Sequence, residues 1–397
     1  MRYDLEMKLA PRAVLPELHG RDIICFSNDW DGDPLSKTHL MRILARDNRV
    51  LWVNSLGNRA PKVSARDLRR LWKKLGDAAS GTVEVEPNLH VLGPLALPFF
   101  GGRARAFNAA VVRAQVKRAM RQLHLRHPIS WSFLPSAAPI AGRLGERVVI
   151  YHCVDAFSAF SDAAPEVAAL EASLVRRAHL VITSAERLRA DKVRQNPHTV
   201  LVRHGVDHAH FSKALDPSTR VPDDQARLAR PVVGFFGLIA DWVDLRLIRA
   251  VARAVPEGSV VLLGKAVVST TSLEGLPNVH LLGRKAYDAL PAYCKGWDVA
   301  LMPFAENELT ANANPLKVRE YLAAGLPVVS TPVPEVVQLG MCRVASGPRA
   351  FAAAVREALA EGGGPSAARS AAIEHESWEA KVDEIRRHLH ALRLGER

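Results

Sequence analysis

The residues best placed to do chemistry lie in 303–336, PFAENELTANANPLKVREYLAAGLPVVSTPVPEV. The apolar run Asp298–Met302 stops at Pro303, and a polar loop with three asparagines follows. Pro315 then opens a helical pattern with Leu316, Val318, Tyr321 and Leu322 on one face, and Gly325 closes it before Pro327. A helix starting there presents unpaired N–H groups and the positive end of its peptide dipoles, which suits a phosphate. Lys317 adds a mobile cation in the first turn, near a diphosphate held around Thr310, Asn314, Pro315 and Leu316. Glu320 lies one turn further on, placed to accept hydrogen bonds from paired sugar hydroxyls, as a carboxylate does with ribose. The alternative reading of Lys317 and Glu320 is an ordinary i, i+3 ion pair on a solvated helix.

Other candidates follow apolar runs. Gly237 ends the run Val232–Gly237, where a missing side chain lets backbone approach a phosphate. Lys265 follows Gly264, and Arg284 follows Gly283; each reads equally as a surface residue. Nearer the N-terminus, Asp29, Asp31, Gly32 and Asp33 form a polar loop after Asp22–Phe26, with Lys37 and His39 at the start of the next helix. The i, i+2, i+4 aspartates lack the distal glutamate of a calcium loop, so no metal is expected. His152 and Asp155 follow Val148–Tyr151 as a possible proton-handling or acceptor-contact pair, against a purely structural histidine. His204, in VRHGVD, reads as turn or hinge structure.

These positions need strands that end at one sheet edge. Asp22–Phe26, Arg49–Val53, Val148–Tyr151, Leu180–Thr183, Thr199–Val202, Val232–Gly237, Ser259–Leu263, His280–Leu282, Asp298–Met302 and Pro327–Ser330 are short Val-, Ile- and Leu-rich runs without alternation. Such runs, separated by helical patterns, predict parallel, doubly wound sheets with helices on both faces. The polar stretch 213–231, with its prolines, predicts a linker between an N-terminal domain (1–212) and a C-terminal domain (232–375). Trp378, Val382, Ile385, Leu389 and Leu392 give 376–397 the spacing of a closing helix that packs back toward the N-terminal domain. Ligands of such sheets bind at the carboxyl ends of the strands.

With 397 residues the chain exceeds one ordinary core, and its 48% hydrophobic and 24% charged composition is that of a globular protein. The four cysteines are scattered and form no CxxC pair, so buried free thiols and a reducing compartment are expected. The N-terminus lacks a signal-peptide core, and the longest apolar stretch, Val91–Phe100, is about half of a bilayer span. A cytoplasmic protein is the expectation. The net charge of +12 is uneven, since residues 1–150 carry +11 and the remainder +1. LRRLWKKLG (68–76) and 103–127 interleave basic and apolar residues at helical spacing, as in helices that lie on an anionic bilayer; solvated helix faces are the alternative.

NPLKVREYLAAGLPVVSTPVPEV resembles the nucleotide-sugar-binding segment of GT-B glycosyltransferases of the broad family 4 (group 1), closest to the bacterial polysaccharide-assembly subset. Asn307–Thr310 matches the N-x-L-T loop of that subset, and VIYHCVDAFSAF, LVITSAERL, VRHGVDHAHF, VGFFGLIADWVDLRLI, NVHLLGRKAYDALPAY and SWEAKVDEI fall in the expected order. The resemblance implies an α/β chain of two Rossmann-like domains facing across a cleft. It further implies a nucleoside-diphosphate-sugar donor (UDP- or GDP-sugar), retention of configuration and no metal. The acceptor would be lipid-linked or a polysaccharide, at the inner face of the cell membrane. By the same resemblance, Asn312 and Glu320 would stand at the catalytic positions, and His152 and Asp155, read from their place after a strand, complete the candidate catalytic set. Asp31, Gly32, Lys37 and His39 would border the acceptor. One departure matters: family members carry two glutamates eight positions apart, and Asn312 stands where the first would be. An amide can bond to a hydroxyl but supplies no negative charge. Two further readings stand beside this one, a GT-B-type nucleotide-sugar epimerase and a basic protein that binds nucleic acid or membrane. The absence of a nucleic-acid motif weighs against nucleic acid.

Overall fold

The computed structural model describes residues 18–55, 81–95, 102–161 and 163–394. The chain divides into two units, one of residues 1–202 with 382–397 and one of Arg203–Lys381. The 68–76 segment and the end of the Val91–Phe100 run lie outside the described residues.

The first unit is built on eight strands: β1 (Asp22–Phe26), β2 (Arg49–Val53), β3 (Thr82–Glu86), β4 (Leu89–Leu92), β5 (Ile129–Ser132), β6 (Val148–Cys153), β7 (Leu180–Thr183) and β8 (Thr199–Leu201). Their order is β3-β4-β2-β1-β5-β6-β7-β8. All pairs are parallel except β3 with β4, an antiparallel edge. Helix Gly102–Gln122 covers one face with Val112, Val116, Ala119 and Met120 against Ile24, Phe26, Leu51 and Val53. Helix Val167–Arg177 packs Leu174 and Val175 against Val149, Tyr151 and Val181. Arg386, from the C-terminal residues of this unit, bonds to Asp47 Oδ2 at 3.3 Å.

The second unit has six parallel strands: β9 (Val232–Phe236), β10 (Ser259–Leu263), β11 (Val279–Gly283), β12 (Val299–Met302), β13 (Val328–Ser330) and β14 (Arg343–Val344). The order is β11-β10-β9-β12-β13-β14. Read within the unit this is 3-2-1-4-5-6, the doubly wound dinucleotide-binding order, whose switch point lies between β9 and β12. β9, β10, β12 and β13 are buried along their whole length, so an apolar run without alternation is what their two covered faces demand.

Stretch 213–231 does not behave as a free linker. Gln225 is 2% exposed; its amide donates to the Tyr293 carbonyl at 2.9 Å and accepts from the Trp297 indole at 2.8 Å. Buried amides find partners in a core, and these bonds dock the segment onto the second unit, which begins earlier, at Arg203. Trp297 in turn sits where only glycine fits, because a Cβ at Gly234 would lie 2.0 Å from its ring.

Candidate functional site

Three successive strands of the second unit end in glycines with positive φ: Gly237 at 136°, Gly264 at 152° and Gly283 at 71°. The first two are forced by close approach. A Cβ at Gly264 would lie 1.8 Å from the Gly237 carbonyl oxygen, and one at Gly237 would lie 2.1 Å from Lys317 Cε and 3.0 Å from Nζ. The Lys317 side chain therefore lies against bare backbone at the carboxyl end of β9, at the switch point. This brings together Gly237 and Lys317, two of the candidate residues.

Helix Leu316–Ala323 starts at Pro315, which occupies the N-cap position and has no side chain with which to cap. Helices His208–Phe211, Leu245–Ala254 and Glu308–Ala311 are instead capped by Asp207, Asp244 and Asn307. The helix is anchored to the strand by Tyr321. The Phe236 N–H donates to its hydroxyl at 3.0 Å, and the hydroxyl donates to the Phe236 carbonyl at 3.3 Å. The β9–β12 register covers Val233 and Gly234, and Tyr321 takes up the strand's polar groups beyond it.

Glu320 is half-buried. Loss of hydration pushes its carboxyl up to about 7, the Lys317 charge opposes the rise, and the Asp207 carboxylate adds to it. Asp207 comes from the VRHGVD segment, so a second carboxylate stands near Glu320 even though Asn312 supplies none.

Several expected contacts are already engaged within the protein. The Thr310 hydroxyl donates to the Ala305 carbonyl, and its N–H donates to Asn307 Oδ1 at 3.0 Å, closing the loop on itself. Asn312 Nδ2 donates to the Glu308 carbonyl at 2.8 Å. The Asn314 side chain is buried and accepts from Arg319 at 2.7 Å. These side-chain bonds shape the loop, and the Asn314 carbonyl is likewise taken, 2.8 Å from His204 Nδ1. Pro315 is buried and Leu316 half-buried, while Lys265 and Arg284 are exposed beyond β10 and β11.

In the first unit, Lys37 is buried rather than displayed, with Nζ 2.5 Å from Asn28 Oδ1. Burial pushes its amine down, opposed by Asp155 and by Cys25. The Asp155 charge is thus felt at Lys37. His152 is buried and stacked on Phe133, with centroids 4.8 Å apart. Asp31 and Gly32 are exposed and His39 half-buried. Asn28 and Trp30 pin this loop, with the Trp52 indole donating to the Asn28 carbonyl at 2.9 Å and the Trp30 N–H donating to Asn54 at 3.0 Å. Among the described residues no group of three His, Cys, Asp or Glu side chains is arranged to hold a metal ion.

Arg319, Tyr321 and Asp207 were missed by sequence reasoning. Arg319 and Tyr321 stand inside the motif, but both face the protein, and their partners Glu376 and Phe236 lie 57 and 85 residues away.

Comparison with known proteins fits this geometry. Residues 230–361 match the family model "Glycosyl transferases group 1". A teichuronic acid biosynthesis glycosyltransferase of Bacillus subtilis, TuaH, is 28% identical over 230 residues, so the match spans 53% of this chain and 56% of the relative. Among solved structures, sucrose-phosphate synthase from Thermosynechococcus elongatus aligns over 94% of this chain and 100% of its own, with TM-score 0.65 at 14% identity. Anabaena HepE, solved with UDP and glucose, aligns over 94% and 100% with TM-score 0.61 at 15% identity. A UDP-forming trehalose-phosphate synthase from Burkholderia xenovorans aligns over 94% and 99% with TM-score 0.64 at 15% identity. Residues 230–361 therefore resemble a group 1 glycosyltransferase domain, in a chain whose two Rossmann-like units have the GT-B fold.

Proposed function

We propose that the protein is a glycosyltransferase that moves a sugar from a nucleoside-diphosphate-sugar to a lipid-linked or polysaccharide acceptor in the assembly of a cell-surface polysaccharide. The observation that carries this reading is Lys317 lying against Gly237 at the switch point of the second unit. The diphosphate would be held by Lys317 and by the uncapped first turn of helix Leu316–Ala323, with glycine backbone allowing close approach. Glu320 would receive sugar hydroxyls, with Asp207 as the nearby second carboxylate. A UDP-sugar is the favoured donor, since HepE was solved with UDP and with UDP-glucose. The TuaH relationship supports polysaccharide assembly. Transfer with retention and without a metal belongs to the same proposal, as does an acceptor side carried by the first unit around Lys37, His152 and Asp155.

We also place the protein at the cytoplasmic face of an anionic membrane, held there by the basic surface of the first unit. No helix of the described residues is long and apolar enough to cross a membrane.

The experiment is donor binding and turnover by Lys317→Ala against a panel of UDP-, GDP-, CDP- and dTDP-sugars. A charge-assisted contact to phosphate contributes about 1.5–3 kcal/mol, so a loss of roughly 10- to 100-fold in donor affinity is expected. Unchanged affinity and turnover would refute the site.

A further inference from the structure

Arg319 is an unusual residue to find in a core. Its guanidinium is 2% exposed. NH1 donates to Asn314 Oδ1 at 2.7 Å, and Nε donates to Glu376 Oε2 at 3.2 Å. Lys381 shares that carboxylate oxygen at 2.9 Å. His204, also buried, places Nδ1 2.8 Å from the Asn314 carbonyl oxygen. A carbonyl only accepts, so His204 carries its proton on Nδ1.

Asn314 is therefore held at two points, its side chain by a guanidinium and its carbonyl by an imidazole. The next residue is Pro315, with φ −69° and ψ 121°, and Leu316, Lys317 and Val318 follow as the first helical turn. Proline leaves φ no freedom. Fixing Asn314 thus fixes the direction of the first-turn N–H groups and the root of Lys317. Burying a guanidinium and a carboxylate costs several kcal/mol per ion, and an apolar replacement of a buried ion pair is often neutral or stabilising. Core stability alone does not call for an arginine here; geometry at Asn314 does.

We infer that Arg319 and His204 are positioning residues for the diphosphate-binding turn, setting nucleotide affinity through Asn314 without touching the ligand. This rests on the donor site proposed above. Mutating either member of the Arg319–Asn314 contact should weaken nucleotide binding while Lys317 is intact, because the turn loses its fixed aim.

The test uses the full chain and UDP, GDP, CDP and dTDP as probes, taking the nucleotide that raises the wild-type melting temperature most. Arg319→Met and Asn314→Ala are each expected to weaken that nucleotide roughly tenfold, raising the donor KM more than they lower kcat. Asn314→Asp, which keeps an acceptor for the guanidinium, is expected to lose less affinity than Asn314→Ala. The double variant should lose little more than either single one, because both act through one contact. Val251→Ala, a change at a buried core site in a different helix of the unit, Leu245–Ala254, serves as the control and should lower melting temperature without changing affinity. Where Arg319→Met does not fold, Asn314→Ala with Asn314→Asp decides the matter alone. Wild-type affinity in Asn314→Ala, or fully additive losses in the pair, would overturn the inference while leaving the donor reading intact if Lys317→Ala still loses binding. A wild-type protein that binds none of the four nucleotides takes both down.

Discussion

At the scale of single residues, Glu320 sets a pH dependence whose sign can be worked out. Its carboxyl titrates near 7 in the folded protein, against 4.5 for the ordinary group, because the folded state strips its water, an effect that Lys317 only partly offsets. Below pH 4.5 folded and unfolded states are both protonated, and the contribution to stability is fully present. Between 4.5 and about 7 the folded state alone keeps the proton, so stability falls as pH rises through that window and then levels off. Glu320→Gln is expected to remove this slope and to stabilise the apo protein above pH 7 by on the order of 1–3 kcal/mol. Affinity for the donor should run the other way. Two acceptor oxygens are available to sugar hydroxyls only in the ionised form, so wild-type donor affinity should rise as pH passes 7, and the glutamine variant should be weak and flat. Melting curves and donor titrations between pH 5 and 8.5 read both slopes, and a wild-type stability profile that rises across this window would contradict the assignment.

At the scale of elements, the glycines within and just after the strands separate folding from binding. Gly234→Ala drives a Cβ to 2.0 Å from the buried Trp297 ring, and Gly264→Ala drives one to 1.8 Å from the Gly237 carbonyl oxygen. Neither obstacle can move freely, so losses of about 3 kcal/mol or more are expected. Gly237→Ala meets instead the far end of the flexible Lys317 chain at 2.1 Å. It should cost about 1 kcal/mol for its φ, yet weaken nucleotide binding roughly tenfold by displacing the cation. Thermal melts beside nucleotide titrations resolve the contrast, and unaltered affinity in Gly237→Ala would remove the significance given to the lysine's placement. The same elements show what a sequence can disclose. Apolar runs located β1, β2, β7 and β10 to the residue because each is an unbroken buried apolar run bounded by one polar residue, Asp22, Arg49, Thr183 or Ser259. β3 was missed because TVEVE alternates on an exposed antiparallel edge, and β5 because ISWS places serines in a central strand. In the proposed site, Lys317, Glu320 and Gly237 stood out because each follows a strand or opens a helix, where chemistry is expected. The network of Arg319 and His204 did not, since Arg319 reaches Asn314 five residues away but also Glu376, 57 residues away, and His204 lies 110 residues from Asn314.

At the scale of the whole molecule, the charge imbalance has a structural carrier. Residues 1–150 hold +11 of the net +12, and helix Gly102–Gln122 contains no acidic residue. At 100° per residue Phe107, Ala114, Arg118 and Arg121 fall on one face, opposite the buried Val112, Val116, Ala119 and Met120. Phe107 is 55% exposed, and Lys117, Arg118 and Arg121 are exposed as well. A solvated helix face needs no exposed aromatic ring among cations, whereas an anionic bilayer surface uses both, the ring at the headgroup level and each cation contributing about 1 kcal/mol. Co-sedimentation of the protein with phosphatidylglycerol-containing vesicles is therefore expected at 0.1 M salt and should fall sharply at 1 M, where the screening length shrinks from about 10 to about 3 Å. Reversing three charges together, Lys117→Glu, Arg118→Glu and Arg121→Glu, should reduce vesicle partition by at least about 100-fold, with soluble donor binding unchanged. Phe107→Ala should weaken partition further without altering its salt dependence, because an apolar contact carries no counterions. Binding that is equal on neutral and anionic vesicles, or that prefers RNA to either, would show that the basic surface serves some other purpose and would sink the membrane assignment.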